Sequence, residues 1–264
     1  MVEQTVQESN SSATTTFRGV LDAGTIKRTV DVAYAVFDEC HLYVDPDGLR
    51  LAAIDAATVV RADVTLERAA FESFEGAPDH LGIDLERFRD VVSIADRDQF
   101  VALEVNAESR TLSIRIDELE YTLALLDPET IRSPQEGSSD AFDLAGSVVA
   151  SAETFDRSVR AAEMVSTHLE FELDAADEVF AVRADGDTDD VSLTLSASDL
   201  VDLEPADTSS LFSVDYLASI NRAMPGGVDV GLGLGTEKPL SIRYEFADGG
   251  GDVEYLVAPR ISAT

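Results

Sequence analysis

The sequence predicts an α+β fold built from two copies of one unit of roughly 110 residues, and three observations carry that expectation. The first is internal repetition. Thr25-Ile26-Lys27-Arg28-Thr29-Val30 recurs as Thr154-Phe155-Asp156-Arg157-Ser158-Val159, 129 residues on, and Leu112-Ser113-Ile114-Arg115 recurs as Leu240-Ser241-Ile242-Arg243, 128 residues on. A looser third pair, Gly82-Ile83-Asp84 followed by Phe88 and Ser213-Val214-Asp215 followed by Ser219, stands 131 apart in the same order. The second observation is that helical and strand periodicities alternate in one order in both halves. The third is a hydrophobic content of 45% over 264 residues, enough to fill two cores.

In the first copy, Phe17 to Leu21 opens as a strand. A helix over 25–37 follows, with Ile26, Val30, Ala33 and Phe37 on one face. His41 to Val44 and Leu49 to Ile54 alternate as strands around Asp45-Pro46-Asp47-Gly48, whose residue types favour a tight hairpin turn. Val59 to Leu66 continues the sheet. A second helix over 85–95 presents Leu85, Phe88, Val91, Val92 and Ala95, and strands at 100–105, 111–116 and 120–125 close the unit. The second copy places helices at 154–166 and 214–224 and strands near 168–173, 178–184, 191–196, 228–234, 240–246 and 252–257. Between them, 127–142 holds Pro128, Pro134, Gly137 and paired serines, the composition of a linker. The expected division is therefore a flexible tail at 1–14, a first domain at 15–126, the linker at 127–142 and a second domain at 143–264.

Fifty-two acidic residues against 19 basic ones give a net charge of −33, and only Lys27 and Lys238 are lysines. Interspersed with apolar residues, these carboxylates read as an acidic coat on a folded protein. They read as a halophile's surface, hydrated and soluble where about 1 M salt shortens the screening length to about 3 Å. An ordinary acidic mesophilic protein is the alternative. Cys40 is the single cysteine, which excludes an internal disulfide and fits a reducing cytoplasm. No apolar run approaches the roughly 18 residues of a membrane span, and the polar amino terminus is unlike a signal peptide, so a soluble cytoplasmic protein is expected.

Enzymatic readings find little support. His41, His80 and His168 share no spacing, which favours structural histidines over a metal or acid–base cluster. Asp185-Gly186-Asp187-Thr188-Asp189-Asp190 begins like a calcium loop, but Asp190 stands where the turn glycine belongs and Ser196 where the bidentate glutamate belongs. Gly231-Leu232-Gly233-Leu234-Gly235 lacks dinucleotide spacing and alternates as a strand. No metal site, cofactor or catalytic residue is indicated. The basic residues carry more: the four expected helices hold seven cations (Lys27, Arg28, Arg87, Arg89, Arg157, Arg160, Arg222) against six carboxylates, while the rest of the chain holds 12 against 46. Ordinary solvated helix faces would also account for that distribution.

Four stretches resemble the archaeal and eukaryotic sliding clamp family, proliferating cell nuclear antigen. They are Gly24-Thr25-Ile26-Lys27-Arg28; Asp47-Gly48-Leu49-Arg50-Leu51 with Ile54-Asp55; Lys238-Pro239-Leu240; and Tyr255-Leu256-Val257-Ala258-Pro259-Arg260-Ile261. The resemblance implies a homotrimeric ring of two-domain subunits, with helices lining a channel for double-stranded DNA and sheets outside. It implies that Lys27, Arg28, Arg157, Arg160 and Arg222, with Arg87 and Arg89 less closely matched, face the DNA. It further implies a pocket for short peptide plugs of DNA polymerase, clamp loader, flap endonuclease and DNA ligase. The pocket residues would be Ile54, Val59, Pro239, Leu256, Val257, Ala258 and Pro259, with Ile131 of the linker as one wall. Subunits would join by strand pairing, Thr111, Leu112, Ser113, Ile114, Arg115 and Ile116 against a neighbour's Val191, Ser192, Leu193, Thr194 and Leu195. The implied protein is a processivity factor without chemistry of its own. One subunit of a heterotrimeric clamp, or an acidic scaffold that binds proteins but no DNA, are the alternatives.

Overall fold

The computed structural model describes residues 15–134 and 139–260. The stretch expected to be a tail, 1–14, four linker residues at 135–138, and Ile261 of the carboxy-terminal motif lie outside the described residues. The first unit runs β1 (Thr15–Asp22), α1 (Ala23–Tyr34), β2 (Glu39–Asp45), β3 (Gly48–Ile54), β4 (Val60–Glu67), β5 (Ser73–Gly76), β6 (Asp79–Asp84), α2 (Leu85–Ser93), β7 (Phe100–Asn106), β8 (Thr111–Ile116) and β9 (Leu119–Ala124). The second repeats that order as β10 (Gly146–Ser151), α3 (Ala152–Glu163), β11 (His168–Asp174), β12 (Val179–Asp185), β13 (Asp190–Ser196), β14 (Asp202–Glu204), β15 (Thr208–Ser213), α4 (Val214–Ala223), β16 (Asp229–Leu234), β17 (Leu240–Phe246) and β18 (Gly251–Val257). Five of these strands, β5, β6, β10, β14 and β15, are not expected from periodicity.

Caps explain why two helices start earlier than their apolar periodicity does. Asp22 accepts from the Thr25 backbone N–H at 2.8 Å, and Ser151 accepts from that of Thr154 at 3.2 Å, so α1 and α3 each begin two residues before the repeated threonine. The repeated pair then serves a second purpose. The hydroxyls of Thr29 and Ser158, both buried, donate to the carbonyls of Thr25 and Thr154 at 2.8 Å, which satisfies polar groups on an otherwise apolar face. Asp84 caps α2 by accepting from Arg87 N–H at 3.0 Å.

Each unit pairs its strands identically. One sheet runs β5-β1-β7-β8-β9, matched by β14-β10-β16-β17-β18; the other runs β6-β2-β3-β4, matched by β15-β11-β12-β13. The units differ in one connection. β4 pairs antiparallel with β18, from Val60 opposite Val257 to Leu66 opposite Gly251, and this fuses two half-sheets into one of nine strands. Tyr255, fully buried on β18, also donates its hydroxyl to the Val32 carbonyl of α1 at 2.7 Å. The apolar faces of the helices and the inward rows of the strands share one continuous core, to which Phe17, Phe88, Phe155, Phe171 and Phe212 contribute.

Candidate channel face, partner pocket and subunit edges

All seven helix cations sit on the faces turned away from the core. Arg28, Arg87, Arg89, Arg157, Arg160 and Arg222 are exposed, and Lys27 is half-buried with its ammonium on the carbonyl of Ala95. Four of them are engaged with carboxylates: Arg87 with Asp84 at 3.4 Å, Arg89 with Asp31 at 2.6 Å, Arg160 with Asp156 at 3.5 Å and Arg222 with Glu163 at 3.2 Å. The Arg89 and Arg222 pairs each join the two helices of one unit. With side chains half-exposed or more on the arginine side, such pairs contribute about 0–1 kcal/mol and exchange readily for other anions. Among the described residues Arg28 and Arg157 have no ion-pair partner, and they occupy equivalent positions of the repeat. The observed helix boundaries also alter the charge count. Because α3 begins at Ala152, Glu153 joins it, and the helices hold seven acidic residues against seven basic ones, neutral rather than slightly positive.

On the outward face of the nine-stranded sheet, the expected pocket residues come together around the β4·β18 junction. Leu256 stands opposite Arg61, Val257 opposite Val60, Leu240 opposite Val257, and the Ala258 N–H donates to the Val59 carbonyl at 2.7 Å. These contacts gather Ile54, Val59, Leu256 and Ala258, with Pro239 and Pro259 flanking them. Val257 is a correction. It is fully buried in the alternating inward row with Val253 and Tyr255, so it belongs to the core and presents nothing to a ligand. Arg61 is the residue that motif reasoning overlooked. It lies between Ile54 and Leu256 on the same row, and its Nε donates to Asp63 at 2.9 Å. The loop beside Ile54 is held by Asp55, whose Oδ1 accepts from the N–H groups of Val59 and Val60 at 2.6 and 2.8 Å. Tyr216 of α4 donates to Asp55 Oδ2 at 3.0 Å, and burial followed by that carboxylate pushes the phenol's pKa up.

The linker is pinned at both ends. Leu126 exchanges two backbone hydrogen bonds with Gly82 of β6, at 2.8 and 3.1 Å, and Ile131 is buried although it lies outside the continuous core. At the far end Ser139 N–H donates to Glu254, Arg243 binds Asp140, and Lys238 donates to the carbonyls of Phe142 and Asp143. Two glycines explain the close approach. A Cβ at Gly82 would stand 2.4 Å from Ile131 Cδ1, and one at Gly233 would stand 2.6 Å from Leu144 Cδ1. Within the Gly231–Gly235 motif, Gly233 is thus the seat for Leu144, just beyond the linker.

The expected subunit contact requires the second correction. Residues Thr111, Leu112, Ser113, Ile114, Arg115 and Ile116 form β8, which pairs with β7 on one side and β9 on the other, so an interior strand has no edge to offer a neighbour. Among the described residues six strands end a sheet, β5, β6, β9, β13, β14 and β15; of these only β9 and β13, the strand that carries Val191, Ser192, Leu193, Thr194 and Leu195, are the repeat equivalents of strands that pair with each other, β18 and β4. β9 exposes Leu119 at 38% and Tyr121 at 40%, and Ile94 and Met164 are exposed at the ends of α2 and α3. The described residues contain no cluster of three or more metal-ligating side chains.

Comparison with known proteins gives concordant matches. The family model for "Proliferating cell nuclear antigen, N-terminal domain" matches residues 18–125. A "DNA polymerase sliding clamp" of Haloarcula marismortui is 44% identical over 94% of this chain and 99% of its own length, and one of Halobacterium salinarum strain R1 is 42% identical over the same shares. Among solved structures, "C-terminal region of FEN-1 bound to A. fulgidus PCNA" matches with a TM-score of 0.87 at 28% identity, over 94% of this chain and 100% of that one.

Proposed function

This chain belongs to the DNA polymerase sliding clamp family, and we propose that three identical copies close head to tail into a ring around double-stranded DNA. The observation that carries this reading is that β9 and β13, two of the open sheet ends, stand at the places of the repeat where β18 and β4 pair with each other. The closed junction supplies a template for the open one. In the chain, Tyr255 faces Ala62 and Val253 faces Val64. The repeat aligns Tyr255 with Tyr121, Val253 with Leu119, Ala62 with Val191 and Val64 with Leu193. Tyr121 of one subunit therefore lies opposite Val191 of the next, and Leu119 opposite Leu193. Closure removes the exposed edges and covers the exposed apolar groups. It also brings α2 of one subunit beside α3 of its neighbour, as α4 lies beside α1 within the chain.

In that ring the helices face the channel. Arg28 and Arg157 contact phosphates directly, and Lys27, Arg87, Arg89, Arg160 and Arg222 join by exchanging local partners; such contacts hold a duplex without reading its bases, as sliding requires. The protein acts as a tether without catalysis and works where the chromosome is, in the cytoplasm; no helix among the described residues is long and apolar enough to cross a membrane. The domains are 15–126 and 143–264, joined by the linker. The groove bounded by Ile54, Val59, Arg61, Ile131, Pro239, Leu256, Ala258 and Pro259 receives apolar and aromatic anchors of polymerase, clamp loader, flap endonuclease and ligase, a helix-in-groove mode of recognition. Support comes from the relative solved with a FEN-1 C-terminal region.

Light scattering in molar KCl tests the ring, with three times the 28.3 kDa chain mass expected. A disulfide between Tyr121→Cys and Val191→Cys should lock a covalent trimer. A persistent monomer, or cross-linking equally good after a one-residue shift of register, would overturn the reading.

A further inference from the structure

His41 has no exposed surface, yet both nitrogens of its ring have partners. Nδ1 lies 2.8 Å from His80 Nε2, and Nε2 lies 3.2 Å from the carbonyl oxygen of Arg132 in the linker. A carbonyl only accepts, so Nε2 of His41 carries a proton. In the neutral ring Nδ1 then accepts, which obliges His80 Nε2 to donate. The donors run in one direction, from His80 through His41 to the linker backbone.

Each end of this relay is fixed. His80 on β6 stacks on Tyr43 of β2, with ring centroids 4.3 Å apart and planes 9° apart, and the Arg50 guanidinium of β3 covers Tyr43 at 5.1 Å. The backbone N–H of His80 donates to the Asp79 carboxylate at 2.8 Å. Burial, and then His41, hold the His80 ring below the usual histidine pKa against the opposing pull of Asp79, which favours the neutral ring that the relay uses. At the other end, the Arg132 guanidinium donates to the Ala56 carbonyl, in the loop that Asp55 organises beside Ile54. Arg132 thus links the histidine pair to the pocket loop, one residue after Ile131 seats on Gly82. The equivalent positions of the second unit hold Glu170 and Ser209, which bond to each other and to no linker carbonyl.

The geometry points to His41 and His80 as positioning residues of the peptide pocket: the relay fixes the backbone at Arg132 and so sets the linker wall against which a client's anchors pack. This inference rests on the pocket reading given above.

The protein has three histidines, so a histidine-ring ¹⁵N spectrum is assignable by substitution; neutral His41 with Nε2 protonated is expected. The binding probe is a peptide of the FEN-1 C-terminal region solved with A. fulgidus PCNA, titrated into the intact trimer in molar KCl. His80→Leu removes the donor and should weaken the peptide about five- to tenfold, the size of one hydrogen bond, whereas His80→Gln retains an N–H and should stay within about twofold. Because His80 is on the surface, both variants should keep the trimeric mass. Leu256→Asp separates the two readings. If it abolishes binding while His80→Leu does not weaken it, the relay alone is overturned. If neither weakens binding, the pocket falls and the relay's role with it. His41 protonated at Nδ1 instead would also overturn the relay, whatever the peptide does.

Discussion

The two strand junctions of this molecule are built from matching parts and have opposite fates. β4 and β18 are paired within the chain and dry, with Tyr255, Val253 and Val64 buried. β9 and β13, their counterparts, face outward with Leu119 and Tyr121 uncovered. A duplicated unit that completes one junction internally leaves the equivalent strands of the other open to another copy, which is the basis of the proposed assembly. The junctions also diverge in chemistry. Where the closed one carries Ile54, Arg61 and Leu256, the repeat puts Asp185, Asp190 and Thr122 at the open one. Among the described residues the apolar row of the closed junction, beside the linker, therefore has no counterpart at the open one, in keeping with the proposed division into pocket and closure.

Truncating the two equivalent tyrosines separates these roles with the largest expected effect. Tyr255→Ala removes a fully buried ring and should cost about 3–5 kcal/mol of fold stability, read by denaturant unfolding. Tyr121→Ala should leave the subunit folded and shift the mass toward monomer. If Tyr121→Ala unfolds the chain, or leaves the trimer intact at micromolar dilution, the two junctions are not the pair they are taken to be. A smaller effect divides the cations. Arg28→Ala with Arg157→Ala should lower polymerase processivity more than Arg89→Ala with Arg222→Ala, because the latter two already share their charge with Asp31 and Glu163. Equal losses would show that the local ion pairs dissolve completely on DNA.

The smallest effect is a pH dependence of the linker-covered face, which the second unit lacks because Ser209 replaces His80. His80 has a lowered pKa in the fold, so below the ordinary value of about 6.5 the unfolded chain binds more protons than the native one. Stability is then present above that pH and lost as pH falls through it toward the folded pKa. The thermal midpoint should drop more for the wild type than for His80→Gln between about pH 6.5 and 5. Parallel curves would mean that His80 does not sense burial.

The repeat, the four helices and the β2–β3 hairpin are legible in the sequence because each rests on local signals: recurring segments, 3.6-residue periodicity, and Asp-Pro-Asp-Gly at a turn. What escapes is decided at a distance. β6 reads poorly because Gly82 interrupts its alternation and Pro78 precedes it, and without β6 the neighbourhood of His41 and His80 is invisible. β8 alternates more cleanly than β9, yet edge or interior is a property of the completed sheet, so the better-looking strand is the wrong one to place at the interface. The pocket residues follow from the family resemblance, whereas Arg61 follows from register and Val257 is removed by it.

The two glycines beneath the linker have a consequence for how such a connector can change. With Ile131 over Gly82 and Leu144 over Gly233, the path is moulded into the floor of the sheet and not into the strap that crosses it. The side chains at the two ends, Ile131 and Leu144, are matched to those footprints by their reach rather than by any polar bond. A single methyl group in either footprint would displace the Ile131 or Leu144 side chain from its seat, even if every residue of the strap were unchanged.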